Sequence, residues 1–368
     1  MTKTDASTHH NHPARALALY LPQFHPIKEN NEWWGPGFTE WTNTAKARPL
    51  FKGHYQPHIP GELGYYDLRL EETRETQAQM ARNAGIEGFC YYHYWFAGKQ
   101  ILERPFAEVL KSGQPDFPFC LCWANQSWTG IWHGAPNRIL IEQTYPGRED
   151  DIAHFNMLLP AFQDKRYIRV DGKPLFFLYK PEDISRETLD LWRKLAVDSG
   201  LKGLHLVGVT SLLEWDAAQN GFDAKALFPL LRERPWISRK NPFQYLRQKM
   251  DINRGIPTTR DHREINLRYI EGLMNQISKK NLTVYACATH AFDNTPRSGV
   301  DGVVLTGSTP ELYRDLVREI INMLSSVKSE HRIVLLKSWN EWAEGNHLEP
   351  DLKFGSSYLD ALKSLLVH

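Results

Sequence analysis

The sequence lacks the features that place a protein in a membrane or on nucleic acid. It contains no run of about 18 apolar residues, the length needed to cross a bilayer as a helix. The polar N-terminus, residues 1–14, has no apolar stretch like that of a secretory signal, so we expect a disordered tail there and a cytoplasmic location. The net charge of +1 predicts neither a nucleic-acid partner nor an integral membrane segment.

Cysteine is scarce, and it shows no metal-binding spacing. Cys90, Cys120, Cys122 and Cys287 lie in apolar stretches and form no zinc-ligand pattern or disulfide framework. This favours buried thiols in a reducing compartment. The histidines of residues 9–12 lie in the polar tail, where metal binding would be adventitious. We therefore expect no metal site and no cofactor.

Motifs of nucleotide-dependent enzymes are also missing. No glycine-rich phosphate-binding turn follows the first apolar stretch, where a dinucleotide-binding fold would carry one. No Asp-x-Asp triplet occurs, although a transferase that uses a nucleotide sugar usually needs an Asp-rich metal site or a diphosphate-binding helix start. Both absences count against a nucleotide-binding fold.

Apolar stretches alternate with segments of helical periodicity along the chain. The eight stretches that predict strands are 16–21, 88–95, 117–123, 175–179, 204–210, 224–228, 284–289 and 333–337, and the clearest helical segments are 70–83, 150–163, 187–198, 265–279 and 310–325. Repeated strand and helix predict a parallel sheet, and eight strands favour one closed (β/α)8 barrel of the TIM type, an α/β fold. No linker divides the chain, so we expect residues 15–368 to form one catalytic domain.

Polar and aromatic side chains follow several predicted strands, at the end where a barrel carries its functional groups. Each has an ordinary structural interpretation when taken alone, but together they suit a ligand with hydroxyls and an apolar ring face. The candidate substrate-binding residues are Tyr20, Gln23, His25, Trp34, Glu40, Trp41, His93, Tyr94, Trp123, Asn125, Trp128, Tyr179, Asp293, Asn294, Arg297, Trp339, Asn340 and Trp342.

Two carboxylates set among tryptophans follow the last predicted strand. In the segment Ser-Trp-Asn-Glu-Trp-Ala-Glu-Gly, residues 338–345, Glu341 and Glu344 lie three positions apart. Paired carboxylates supply the acid and base for cleavage of a glycosidic bond, and indole faces stack on sugar rings. The structural alternative is a helix start with Asn340 as its N-cap. We predict that the two glutamates are catalytic.

A long basic segment follows the sixth predicted strand. Between Arg232 and Arg263 the sequence holds nine arginine or lysine residues, opposed only by Glu233, Asp251 and Asp261. An insertion over the active face would contact an anionic glycan or a lipid-linked phosphate. A solvated surface loop is the simpler interpretation and is preferred.

The sequence resembles the WbsX-like family over about residues 15–365. The segments that carry the resemblance are YLPQFH at 20–25, WWG at 33–35, GFTEW at 37–41, DNTPR at 293–297 and WNEWAEG at 339–345. That family occurs in bacterial surface-polysaccharide gene clusters and is similar to glycoside hydrolase family 99, the endo-α-mannosidase family. The resemblance implies a (β/α)8 barrel that cleaves bonds inside a glycan chain with retention.

The resemblance also implies a role for each glutamate. In family 99 a Glu-Trp-His-Glu-Gly string carries a base that deprotonates the sugar's 2-hydroxyl, which then forms a 1,2-anhydro sugar. Its second glutamate protonates the leaving oxygen and later activates water. Glu341 matches the base and Glu344 the acid/base, so we expect a raised pKa for Glu344 and an ionised Glu341. Ala343 replaces the histidine, which puts an identical substrate in doubt.

Three functions compete at this point. The preferred one is an endo-acting retaining glycoside hydrolase that acts on a bacterial surface polysaccharide, or an oligosaccharide of its lipid-linked intermediate. The alternative is a glycosyltransferase or transglycosylase in O-antigen or capsule biosynthesis, as WbsX-like proteins are often described. The third is a non-catalytic glycan-binding module, which would use the aromatic side chains but would not need both Glu341 and Glu344.

Overall fold

The computed structural model describes residues 13–130, 135–231, 255–278 and 283–367. Eight parallel strands form the centre of the fold, and nearly all their residues are buried on both faces, which explains their continuous apolar sequences. The strands are β1 (Arg15–Tyr20), β2 (Gly88–His93), β3 (Phe119–Trp123), β4 (Lys173–Leu178), β5 (His205–Thr210), β6 (Ala224–Leu227), β7 (Val284–Thr289) and β8 (Ile333–Lys337).

The strands close into a barrel in sequence order. Each pairs in parallel with the next, from β1 with β2 through to β7 with β8. The pairing of β8 with β1, in which Arg15 lies opposite Ile333, completes the ring. The predicted (β/α)8 barrel is therefore confirmed, and all eight carboxyl ends lie at one rim.

Helices lie between most of the strands. They are α1 (Lys28–Trp34), α2 (Glu40–Lys46), α3 (Glu71–Asn83), α4 (Arg104–Ser112), α5 (Arg148–Gln163), α6 (Arg186–Asp198), α7 (His262–Ile277), α8 (Thr295–Ser298), α9 (Pro310–Leu324) and α10 (Ser357–Leu366). Three begin with a side-chain cap, in which Ser185, Asp261 or Thr309 accepts a backbone N–H from the first turn. The connection from β5 to β6, residues 211–223, contains no helix.

Short paired strands shape the loops around the barrel. Trp95–Phe96 pairs with Lys99–Gln100, Trp128–Gly130 with Ala135–Ile141, and Asn340–Glu341 with Asn346–His347, all antiparallel. Thr258–Asp261 pairs in parallel with Val303–Thr306, and Arg169–Val170 lies antiparallel to β4.

The predicted buried thiols are confirmed, since all four cysteines are free and buried. Among the described residues, none of the helices is both long and apolar enough to cross a membrane.

Two predicted segments fall largely outside the described residues. Of the predicted N-terminal tail, the structure describes Pro13 and Ala14, and Ala14 is buried. Of the basic segment between Arg232 and Arg263, the described part begins at Gly255 and forms the strand Thr258–Asp261 and the start of α7.

Candidate active site

A pocket of about 390 Å³ opens where the barrel strands end. Lys337 is the last residue of β8, whereas Leu21, Ala124 and Tyr179 each follow a strand directly. This is the rim at which barrel enzymes carry their active sites. The pocket is lined by Leu21, Gln23, Trp34, Tyr92, Tyr94, Ala124, Gln126, Ser127, Trp128, Thr129, Tyr179, Asn294, Arg297, Ser298, Lys337, Glu341 and Glu344.

Nine of the residues predicted from the sequence line this pocket. They include both glutamates and bring together aromatic faces, side-chain amides and one guanidinium. The nine are Gln23, Trp34, Tyr94, Trp128, Tyr179, Asn294, Arg297, Glu341 and Glu344.

The other predicted residues lie behind the pocket wall, and all of them are buried. They are Tyr20, His25, Glu40, Trp41, His93, Trp123, Asn125, Asp293, Trp339, Asn340 and Trp342. The sequence shows that these residues lie near strand ends, but it does not show which way each side chain points.

Four tryptophans predicted as sugar-stacking surfaces belong to the core in this structure. Trp342 donates its indole N–H to Glu349 at 2.6 Å, and Trp41 donates to the carbonyl of Tyr66 at 2.8 Å. Trp339 and Trp123 are likewise buried. Of the predicted tryptophans, Trp34 and Trp128 line the pocket.

Several buried polar side chains hold the strand ends together. Asn125 exchanges two 2.8 Å hydrogen bonds with the backbone of Lys180, which connects the ends of β3 and β4. Asp293 accepts hydrogen bonds from His54 at 2.6 Å and from Gln56 at 2.7 Å. Neither Asn125 nor Asp293 lines the pocket.

The segment that carries the glutamates is a tight loop, so the alternative of an α-helix start is wrong. Asn340 and Glu341 form a short strand, and residues 342–344 make a single 3₁₀ turn. The Asn340 side chain bonds both the N–H and the carbonyl of Leu21, at 2.7 and 3.0 Å. Gly345 ends the turn with φ 54°, where a Cβ would lie 3.0 Å from Asp293.

Two cations hold the two glutamates. The Lys337 ammonium lies 2.8 Å from Glu341 Oε2 and 3.3 Å from Glu344 Oε2. Arg297 lies 2.6 Å from Glu344 Oε1 and, through its other terminal nitrogen, 2.6 Å from Glu40 Oε1.

The two glutamates have pKa values shifted in opposite directions. Burial raises the pKa of Glu341 to about 7, against the effect of Lys337, and the charge of Glu344 raises it further. Burial also acts to raise the pKa of Glu344, but the charges of Lys337 and Arg297 outweigh it and lower that pKa. This order is opposite to the prediction, and the 2.6 Å contact of Arg297 with Glu344 contributes to it.

Glu40 lies beneath the pocket and positions its wall. Its side chain is fully buried, and burial raises its pKa although Arg297 acts against this. One carboxylate oxygen accepts hydrogen bonds from Arg297 at 2.6 Å and from the backbone N–H of Ala343 at 3.0 Å. It therefore connects α2 to both the guanidinium and the segment that carries Glu341 and Glu344.

Sequence reasoning missed Lys337, the residue that bridges both glutamates. A charged residue at the end of an otherwise apolar barrel strand is the signal that identifies it. The other lining residues not predicted from the sequence are Leu21, Tyr92, Ala124, Gln126, Ser127, Thr129 and Ser298.

The fold and the pocket define a barrel protein with a buried pair of carboxylates at the carboxyl ends of its strands. The chain belongs to the WbsX family, since the family model described as Glycosyltransferase WbsX matches residues 16–362. Two proteins called Uncharacterized protein WxcX, from two strains of Xanthomonas campestris pv. campestris, are each 37% identical over 360 and 357 residues. These alignments cover 96% of this chain and 50% of each relative, so the chain spans about half the length of these curated relatives.

Two solved structures share the fold at low sequence identity. A glycoside hydrolase-like protein matches with a TM-score of 0.61 and 15% identity, and covers 97% of this chain and 94% of its own. The glycoside hydrolase family 99 endo-α-mannosidase of Bacteroides thetaiotaomicron matches with a TM-score of 0.57 and 13% identity, and the match covers 95% of each chain. At these identities the likeness establishes a common fold.

Proposed function

We propose that the protein is an endo-acting, retaining glycoside hydrolase that cleaves a bacterial surface polysaccharide or its lipid-linked intermediate. The observation that carries the proposal is the convergence of Glu341 and Glu344 on the Lys337 ammonium inside the pocket. Two carboxyl groups with separated pKa values are the acid and base that glycosidic cleavage needs. Endo action and retention follow from the likeness to family 99.

The rest of the pocket suits a sugar. Trp34, Trp128 and Tyr94 offer aromatic faces, and Gln23 and Asn294 offer side-chain amides for hydroxyl groups. A volume of about 390 Å³ lies within the range of small-ligand sites.

The proposed reaction uses the substrate's 2-hydroxyl as its nucleophile. Glu341 takes the hydroxyl proton while O2 attacks the anomeric carbon, and Glu344 gives its proton to the leaving oxygen as that bond breaks. Glu344 then takes a proton from water, which opens the 1,2-anhydro ring, and Glu341 returns its proton to O2. Water replaces the proton that Glu344 gave to the leaving oxygen, so both glutamates return to their starting forms, and the proposed steps use no metal ion.

This assignment requires one proton shared by the pair. The raised pKa of Glu341 favours that proton on Glu341, whereas the reaction as written places it on Glu344. The Lys337 ammonium contacts both carboxyl groups, so the two glutamates titrate as one pair. The reverse assignment, with Glu341 as acid, is therefore the competing version of the same chemistry.

Glutamine substitutions distinguish the two assignments. On a confirmed substrate, Glu341→Gln and Glu344→Gln should each lose about 10²- to 10⁴-fold in kcat/KM. The Glu344→Gln variant should lose least with an activated leaving group, which hardly needs an acid, and Glu341→Gln should be equally poor on activated and natural substrates. The opposite pattern reverses the roles. Near-normal rates in both variants would refute the catalytic pair, and Glu311→Gln, at an exposed position on α9, is the matched control.

The description of the family favours a second candidate, a glycosyltransferase or transglycosylase. Incubation with defined O-antigen-type oligosaccharides and, separately, with sugar nucleotides separates the candidates. The hydrolase proposal expects shorter glycans and no consumption of sugar nucleotide. Consumption of sugar nucleotide, or longer glycans formed without it, supports the transferase or the transglycosylase respectively.

A further inference from the structure

A second pocket, of about 160 Å³, lies behind the segment that carries the glutamate pair. Asp293 forms part of its wall and donates its backbone N–H to the carbonyl of Glu344 at 2.6 Å. The two pockets are therefore separated by the catalytic segment itself. Three buried side chains meet in the second pocket, and their potential ligand atoms all lie within 4.8 Å of one another: His58, His347 and Asp351.

The hydrogen bonds of His347 direct a bare nitrogen toward this cluster. Its Nδ1 lies 3.0 Å from the carbonyl oxygen of Glu349, which can only accept, so Nδ1 carries the proton. Its Nε2 is then the acceptor, 2.8 Å from Nδ1 of His58. Metal ions bind the neutral form of histidine, through a ring nitrogen that carries no proton.

Neighbouring groups fix the orientation of these side chains. The His347 ring stacks on Trp342 with centroids 3.6 Å apart and planes within 6°. One oxygen of Asp351 accepts backbone N–H groups two and three residues along, at 3.0 and 2.6 Å, and the other accepts the Tyr55 hydroxyl at 3.2 Å. Supporting contacts of this kind orient the ligands of metal sites.

The Asp351 carboxylate forms no direct ion pair among the described residues, although its charge acts on the pKa of Lys353. Asp351 is only 4% exposed. The nearby Lys353 ammonium lies over the Tyr55 ring instead, 4.2 Å from its centroid. Since a buried unpaired carboxylate is costly, a cation among the three side chains would stabilise the fold.

We propose that His58, His347 and Asp351 bind one divalent transition-metal ion, of which Zn²⁺ is the best match. Two imidazoles and a carboxylate suit Zn²⁺ and its first-row neighbours, whereas Mg²⁺ and Ca²⁺ prefer oxygen ligands. The ligand atoms are Nδ1 of His58, Nε2 of His347 and a carboxylate oxygen of Asp351. His58 moves its proton from Nδ1 to Nε2 on binding, so the site releases no net proton.

The two rings must separate slightly to admit the ion. Zn–N bonds of about 2.0–2.1 Å place two tetrahedrally arranged nitrogens about 3.3 Å apart. The present nitrogen–nitrogen distance is 2.8 Å, so the rings move by about 0.5 Å in total. The adjoining pocket leaves room for water as a further ligand.

The ion has a structural role. His347 and Asp351 follow the glutamate pair closely in sequence, whereas His58 comes from the connection between α2 and α3. The ion therefore fastens the catalytic segment to a distant part of the chain. Neither glutamate of the pair is a ligand.

Metal binding is measured first with Zn²⁺ and Co²⁺ alone. The background protein carries glutamine at His9, His10 and His12, because that histidine-rich tail offers a competing site. Titration calorimetry should show one ion per chain, and bound Co²⁺ should give d–d absorption. Mg²⁺ and Ca²⁺ at equal concentration should produce no saturable signal.

Single substitutions then locate the site. In that background, His58→Gln, His347→Gln and Asp351→Asn should each weaken Zn²⁺ binding by more than the roughly 10- to 100-fold that loss of a supporting contact costs. The matched control is His54→Gln, a buried histidine of the same pocket whose Nδ1 accepts the Leu50 N–H and whose Nε2 donates to Asp293. Far-UV circular dichroism identifies any variant that fails to fold, and the remaining variants decide the result.

Thermal unfolding provides an independent readout. The Tm of the background protein should rise with the logarithm of Zn²⁺ concentration and fall again with EDTA, whereas that of His347→Gln should not respond. No binding in the background protein, or equal binding in all three ligand variants, overturns the proposal. Because these measurements need no substrate, they stand even if the protein cleaves no glycan. Cleavage, where found, should persist after EDTA treatment below the Tm, and metal-dependent recovery of lost activity would refute the structural role.

Discussion

Replacing Arg297 with glutamine tests the charge arrangement that distinguishes the two glutamates. The guanidinium bridges Glu344 and the fully buried Glu40, with a 2.6 Å contact to each. Without the guanidinium, Glu344 and Glu40 lose the cation that they share. The carboxyl group of Glu341 lies in the same site and adds to the negative charge there. The pKa values of Glu344 and Glu40 should therefore rise.

The size of the effect follows from the burial of the pair. Breaking a buried ion pair by removing one partner costs about 3–5 kcal/mol, because the remaining charge is left uncompensated. In the wild-type protein the lowered pKa of Glu344 contributes stability that is present at neutral pH and lost as the pH falls through that pKa. In the variant the part of this contribution that comes from Arg297 is gone, while Lys337 still contacts Glu344. Protonation of the two carboxyls relieves the repulsion as the pH falls. The difference in stability should therefore be largest near neutral pH and smaller near pH 4.

The free energy of unfolding, measured in denaturant at several pH values, checks this reasoning. Arg318→Gln is the matched control, because it breaks an exposed pair with Asp315 on α9 and should cost no more than about 1 kcal/mol. Arg297→Lys should recover only part of the loss, since an ammonium cannot contact both carboxylates as a planar fork does. A loss in Arg297→Gln that is small, or equal at every pH, would refute the electrostatic account.

The barrel was predictable because its strands are buried on both faces. Continuous apolar stretches mark such strands, and the predicted boundaries differ from those observed by two residues at most. The helices α1, α2, α4, α8 and α10 were not predicted. Those that follow β1 are short and carry polar and aromatic residues without a clear helical period, so their formation depends on contacts with the barrel.

The glutamate pair was predictable for a different reason. Glu341 and Glu344 are close in sequence, and they follow a strand that ends at the rim where the pocket opens. Lys337 and Arg297 come from separate elements, and which carboxylate each cation contacts depends on the closed barrel. The sequence therefore predicted two neighbouring carboxyl groups in the pocket, but it did not predict the direction of their pKa shifts.

The orientation of side chains was the least predictable feature. Trp339 and Trp342 flank the glutamates in sequence but lie in the core, because the tight turn directs carboxylates and indoles to opposite sides. The same limit applies to His58 and His347, which are 289 positions apart and meet only in the folded chain.

Two further predictions concern the segment that carries Glu341 and Glu344. Asn340→Ala removes the amide that bonds the N–H and carbonyl of Leu21. The change should lower the unfolding free energy by about 2–4 kcal/mol, because two buried backbone groups lose their partners. An unchanged Tm would show that water replaces the amide. The pH dependence of kcat/KM should report the single proton of the glutamate pair. Cleavage needs one protonated and one ionised carboxyl, whichever glutamate holds the proton, so activity belongs to the singly protonated pair. Because burial raises the pKa of Glu341 to about 7, the pair loses that proton as the pH rises through this value, and kcat/KM should fall there. A rate that continues to rise to about pH 9 would show that the reacting form carries no such proton, and the acid–base roles proposed for both glutamates would then be wrong.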